Sequence, residues 1–326
     1  MNVFLAILGE SLRLLRARWL FWVTLCISAL VALIYLSVGF DEQGVTFAFG
    51  ASHIKSELLV KGSPGAELLY TMIFSKYLVG IWLTLATLIL GLISCGPIFP
   101  EFMLEGSAGV TLSKPISRWA LFIYKFVGGL LFVAIQTLLF TVIIFIAIRW
   151  RIGIWNYSVF WSIPIVLTVF SYLFSVQVLI GVLTRSVMVS ILVTILLWFM
   201  SWIVTLSEDT MYHFVHDKDN GSQLAMDPSQ ENQWQKWYQM VKFMHMITPK
   251  VSQTSALLNQ KVVMSNGRNS SLGDYIKMNG KNSELGDAIK EAEVPRFSME
   301  YIIGTSLGIE LLILAFAGWK FSRRDF

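Results

Sequence analysis

Along the chain, runs of about 20 residues with almost no charge alternate with polar connectors, at 20–40, 77–99, 126–148, 160–183, 187–206 and 301–319. Each is continuous rather than alternating, so it reads as a helix, not a barrel strand. In hydrocarbon only a helix satisfies the backbone of such a segment by itself. The pattern predicts an all-α membrane protein with six transmembrane helices. The membrane part then occupies 1–206 and 297–326, and the polar stretch 207–296 forms a large extracytoplasmic region between the fifth and sixth helices.

Composition agrees with this pattern. Hydrophobic residues make up 55% of the chain, charged residues 14%, and mean hydropathy is +0.64; ordinary soluble domains carry about a quarter charged residues. The first run is longer than a signal-peptide core and lacks a small-residue cleavage pattern, so it is expected to stay as a span.

Orientation follows from lysine and arginine in the short loops. An N-in, C-in arrangement places Arg13, Arg16, Arg18, Lys114, Arg118, Lys125, Arg185, Lys320, Arg323 and Arg324 inside. It places Lys55, Lys61, Lys76, Arg149 and Arg151 outside. Tryptophans 19, 22, 119, 150, 155, 161, 202 and 319 fall near run ends, as an interfacial belt would. The net charge of +4 is therefore an expression of topology, and no nucleic-acid partner is expected.

Between the runs, residues 4–16 place apolar groups at helical spacing with arginines opposite, which predicts an N-terminal interfacial helix. Within 207–296, the stretch from Trp234 to Met244 repeats apolar groups every three or four residues and predicts an amphipathic helix before Pro249. Cys26 and Cys95 both lie inside runs and are expected to pack as small hydrophobes.

Chemistry is sparse. No Gly-x-x-x-x-Gly-Lys-Ser/Thr phosphate loop and no His-Glu-x-x-His zinc helix is present, so the chain is not expected to be an enzyme by itself. His213 and His216 share a helical face at three-residue spacing, but two imidazoles make a poor metal site, and no metal is assigned. Glu310 is the acidic residue well inside a run, costly enough there to mark an intramembrane polar site. It reads either as a substrate or proton site, or as a protonated carboxyl bonded to a neighbouring helix through Gln136 or a serine. The spacing Gly304-x-x-x-Gly308 would allow close helix approach.

The polar, glycine- and proline-marked segment between the second and third runs carries the clearest resemblance. Glu105, Gly106, then Leu112-Ser113-Lys114-Pro115-Ile116-Ser117-Arg118, then Lys125 and Gly128, together with Phe321-Ser322-Arg323-Arg324-Asp325-Phe326 at the end, resemble type-2 ATP-binding-cassette exporter permeases. The subgroup it most resembles is associated with copper-enzyme maturation. The resemblance implies a membrane subunit driven by a separate ATP-binding-cassette ATPase, which would bind ATP and magnesium while this chain binds no cofactor. It implies coupling through 100–125, with Glu101, Glu105, Gly106, Gly109, Lys114, Pro115, Ser117 and Arg118 as contact residues. It also implies a second permease copy or paralogue, a lipid surround, and a multi-pass location in a bacterial cytoplasmic (inner) membrane. Two other classes stay open at this point: a non-transporting scaffold that docks partners externally, and an ion-coupled secondary transporter using Glu310.

Overall fold

The computed structural model describes residues 19–41, 44–55, 85–104, 117–153, 155–216, 228–255 and 298–323, with Gly9, Arg13, Tyr70, Leu78, Trp82 and Leu83 individually. In chain order the elements are α1 (Trp19–Ser37), β1 (Gly39–Asp41), β2 (Gly44–Phe47), β3 (Ser52–Lys55), α2 (Thr87–Cys95), α3 (Ile98–Leu104), α4 (Arg118–Ile152), α5 (Ser162–Thr184), α6 (Val187–His216), α7 (Pro228–Ile247) and α8 (Met299–Ser322). Of the predicted interfacial helix only Gly9 and Arg13, both helical, are among the described residues.

Among the described residues four helices are long and apolar enough to cross a membrane, in the stretches Arg118–Arg151, Tyr157–Thr184, Val187–Tyr212 and Met299–Ser322. They contain the third to sixth predicted runs. The described parts of the first two runs are helical as well: α1 covers most of the first, and α2 with the start of α3 lies in the second. The helices outlast their apolar runs for local reasons. Ser117 caps α4, its side chain accepting from the Ala120 N–H at 3.2 Å. At the other end Gly153 takes a left-handed φ of 87°, a conformation that favours glycine. The 35 residues of α4 therefore span about 52 Å at 1.5 Å per residue, well beyond a hydrocarbon core of about 30 Å.

Helix α5 is the centre of the bundle. It packs against α8, α6 and α4 and touches α2 and α3, while α1 lies on α4 and α2. Its apolar window is 72% buried against 17% in α6. Helix α6 turns Leu192, Leu196, Phe199, Met200 and Ile203 outward, as a face against lipid or another subunit must.

The connector after α1 is a small antiparallel sheet in the order β1-β2-β3, which the sequence reading did not anticipate in an otherwise helical chain. Asp41 pairs with Gly44 at the end of the β1-β2 ladder. Arg151, at the end of α4, donates from Nε to Leu36 O at 2.7 Å and lies over the Phe49 ring at 5.2 Å. Arg149 donates to Gly153 O and lies 5.1 Å from the Trp155 ring. The arginines that weighed against the predicted orientation are thus engaged at the negative end of a long helix, where cations are favoured locally.

Stretch 207–296 is not wholly a separate unit. Helix α6 runs on to His216, and α7 returns alongside it over the predicted amphipathic segment. The chain then re-enters the bundle: Ser201 Oγ of α6 donates to Pro249 O at 2.8 Å, and the Lys250 N–H donates to Ser306 Oγ of α8 at 3.1 Å.

Candidate coupling and intramembrane polar sites

Of the predicted coupling residues, the structure describes Glu101, Ser117 and Arg118. Glu105, Gly106, Gly109, Lys114 and Pro115 lie outside the described residues. Gly96-Pro97 closes α2, and α3 restarts directly, with the Glu101 N–H donating to Pro97 O at 3.0 Å. Glu101 stands half-buried in the first turn of α3.

Phe102 and Phe99 of α3 face inward to an aromatic knot. The Phe99 ring lies 5.2 Å from Phe122 of α4 and 6.1 Å from Phe321 of α8. Phe102 stacks on Phe321 at 6.2 Å, and Phe122 lies 5.7 Å from Phe321. Phe321 is fully buried. The Lys125 ammonium, itself buried, sits 4.2 Å over the Phe102 ring. Arg118 Nη1 donates to Ser322 O at 3.0 Å, closing a carbonyl at the C-terminus of α8 with a cation. Nearby, Gly318 of α8 lies so close to the Trp119 ring that no Cβ fits without a shift. The two ends of the predicted coupling segment are therefore tied to each other and to the last helix. The sequence pointed to Ser117 and Arg118 but not to Phe99, Phe102, Trp119, Gly318 or Phe321, whose partnership is tertiary.

The intramembrane site is built from α5, α8 and the re-entering connector. Glu310 is 7% exposed, and Ser171 Oγ of α5 donates to its Oε2 at 3.0 Å. Gln136 does not serve as its partner: both its polar atoms are buried without a hydrogen bond among the described residues. Of the two expected partners it is thus a serine that reaches the carboxyl, since α5, not α4, packs most extensively on α8. Lys250 of the connector is buried against an earlier part of α8, its Nζ donating to Thr305 Oγ1 at 2.9 Å and lying 4.9 Å from the Tyr301 ring.

Gly304 and Gly308 provide no close approach among the described residues, where a Cβ at either would meet nothing within 4 Å. The same segment, Gly304-Thr305-Ser306-Leu307-Gly308, has the spacing of a hydrolase nucleophile elbow. Such an elbow needs a sharp strand-to-helix turn; here Ser306 is fully buried within continuous helix and accepts from the Lys250 backbone. His213 and His216 end α6. No group of three or more metal-ligating side chains occurs among the described residues.

Comparison with known proteins adds one finding. The sequence model of the family described as ABC-2 family transporter protein matches residues 6–326. No curated protein and no solved structure matches. With apolar helices of membrane length and a match across nearly its whole length, the chain belongs to the ABC-2 transporter family, as an integral, multi-pass permease subunit of an ABC transporter.

Proposed function

We propose that this permease exports its substrate using ATP hydrolysis by a separate ATPase subunit, seated against segment 100–125 on the cytoplasmic side, with a second permease copy or relative completing the pathway. The observation that carries the reading is the aromatic knot. Helix α3, the start of α4 and the end of α8 meet at Phe99, Phe102, Phe122 and Phe321, and Arg118 bonds to Ser322. A push on the chain between α3 and α4 would move three helices together, as packed interfaces shift between discrete arrangements rather than bending. The family supports an ATPase partner. In this reading ATP and magnesium belong to that partner, α1 and the segment leading through α2 complete six spans, and both termini face the cytoplasm.

Co-purification from the native membrane, followed by ATPase measurement in lipid, tests the proposal. An ABC ATPase is expected in the complex; a permease recovered without one in lipid that preserves the fold would refute the reading.

Glu310 is read as a structural carboxyl, because Ser171 supplies its bond within the bundle. Glu310→Gln keeps the shape and the ability to accept that bond. Transport by the complex is expected to survive with an unchanged pH profile; a lost or displaced pH dependence would instead give Glu310 a proton-coupling role.

A further inference from the structure

Two lengths of helix fix where the small sheet lies relative to the bilayer. The uncharged stretch 126–148 of α4, between Lys125 and Arg149, is about 35 Å long at 1.5 Å per residue. The 19 residues of α1 are about 28 Å long on the same rise. Both match a hydrocarbon core of about 30 Å. Both also end at one level, because Arg151 Nε donates to Leu36 O in the last turn of α1. Arg149 and Arg151 therefore mark one edge of the hydrocarbon, at the end of α4 away from the aromatic knot. Trp150, Trp155 and Trp161 are exposed around the same edge, as an interfacial belt is.

Arg151 fixes the sheet at this edge. Its guanidinium lies 5.2 Å from the Phe49 ring and 5.8 Å from the Trp150 ring. Gly39 of β1 leaves room for it, since a Cβ there would stand 2.9 Å from Nη1. Phe40 and Val45 are buried, but the two ends of the sheet are unlike. At one end Asp41, Gly44 and Lys55 share a row, with Asp41 and Lys55 exposed. At the other, Phe47 pairs with Ser52, and the turn between them carries Phe49. Ala48 and Phe49 take φ of 50° and 60°, which a bulky side chain adopts rarely and at a cost. This strained turn presents its phenyl rings outward, Phe49 at 61% and Phe47 at 39% exposure. The exposed stripe of α4, Leu139, Ile143, Ile146 and Trp150, leads to them through Arg151.

We propose that the Phe47–Gly50 turn dips into the headgroup region of the adjacent leaflet, and that Arg149 and Arg151 bind phosphates of its phospholipids, anionic ones in preference. Continuity with the lipid-facing stripe of α4 names the occupant: the rings stand at the level where hydrocarbon gives way to headgroups. There phenyl and indole rings take the apolar side, and guanidinium N–H groups meet phosphate oxygens in charge-assisted hydrogen bonds. Arg149 is exposed for this role, and Arg151 has N–H groups beyond the Nε that holds Leu36 O. The polar end of the sheet stays in water, which keeps the Asp41 carboxylate away from the phosphates. The sheet is then an anchor that ties the connector after α1 to the bilayer. This goes beyond the coupling reading and does not depend on it.

Nitroxide power saturation of the intact protein in vesicles of phosphatidylcholine and phosphatidylglycerol tests the placement without reference to transport. Labels are attached in Phe49→Cys and, separately, in Lys55→Cys, both in a Cys26→Ala background, while the buried Cys95 stays. Collision with a water-soluble nickel chelate is expected to be several-fold lower at position 49 than at 55, and collision with oxygen several-fold higher. Phe47→Cys, which lies before the left-handed turn, gives a second reading and is expected to agree. A label at 49 as open to nickel as the one at 55 would place the turn in water, and one shielded from both reagents would place it against protein; either result overturns the proposal. Arg149→Gln reads the phosphate contact. Doping phosphatidylcholine vesicles with phosphatidylglycerol is expected to raise the thermal midpoint of the unaltered protein more than that of the variant, and an equal rise in the two would overturn the contact.

Discussion

Gly318→Ala is expected to destabilise the protein and to impair its coupling to an ATPase, although it adds a single methyl group. An ideal Cβ at Gly318 would overlap the Trp119 ring, with Trp119 Cη2 at 2.7 Å and Cε3 at 2.9 Å. The indole is 42% exposed and can swing outward only by giving up its edge-on packing at 6.3 Å on Phe122, itself packed on Phe99 and Phe321. Overpacking costs about 1–3 kcal/mol. Where the ring stays in place, helix α8 moves away from α4 and strains the Arg118 to Ser322 bond. The clash with one side chain makes a double-mutant cycle decisive. Trp119→Leu alone loses aromatic packing, but in the Gly318→Ala background it is expected to restore much of the lost stability. Additive losses in the two variants would show that the contact does not govern the approach of these helices.

Arg118→Ala is the second change with a large expected effect, and it acts on coupling more than on folding. The guanidinium bonds Ser322 O at the C-terminus of α8, and a charged hydrogen bond of this kind contributes about 1.5–3 kcal/mol when partly buried. Ser117 still caps α4 in the variant, so the helix itself persists. What is lost is the tie between the return arm of the coupling segment and the last span. Stimulation of the ATPase by the permease is therefore expected to fall steeply while the assembled complex can still be purified. Arg118→Lys, which keeps the charge but cannot reproduce the planar fork, is expected to fall between the two. An Arg118→Ala complex with unchanged stimulation would separate the C-terminus of α8 from the coupling path.

The parts legible in the sequence were those set by local pattern. The runs at 126–148, 187–206 and 301–319 lie within α4, α6 and α8, and 160–183 falls in α5 but for its first two residues, because twenty uncharged residues leave the backbone few alternatives. The apolar spacing from Trp234 to Met244 falls within α7 for the same reason. Ends were less legible: α4 begins at Arg118 and α6 ends at His216, since capping and partner helices sustain a helix after its apolar run stops. The return of Pro249 and Lys250 into the bundle was invisible, as a proline-marked polar connector gives no sign that Ser201 and Ser306 await it. At the candidate site, Glu310 stood out by its charge, but Ser171 did not, because one serine among many on apolar helices carries no local signal. The knot was hidden likewise. Phe99 ends a predicted run and Phe102, Phe122 and Phe321 lie just outside the runs, and none carries a local sign of the partnership that three helices bring about.

The most direct test of coupling through segment 100–125 is ATPase activity of the purified complex in lipid, comparing the unaltered permease with Glu105→Arg. Reversing this charge is expected to leave the helical bundle folded and the isolated ATPase active, while abolishing the stimulation that the permease confers. A Glu105→Arg complex whose ATPase remains fully stimulated and fully linked to transport would contradict coupling through this segment.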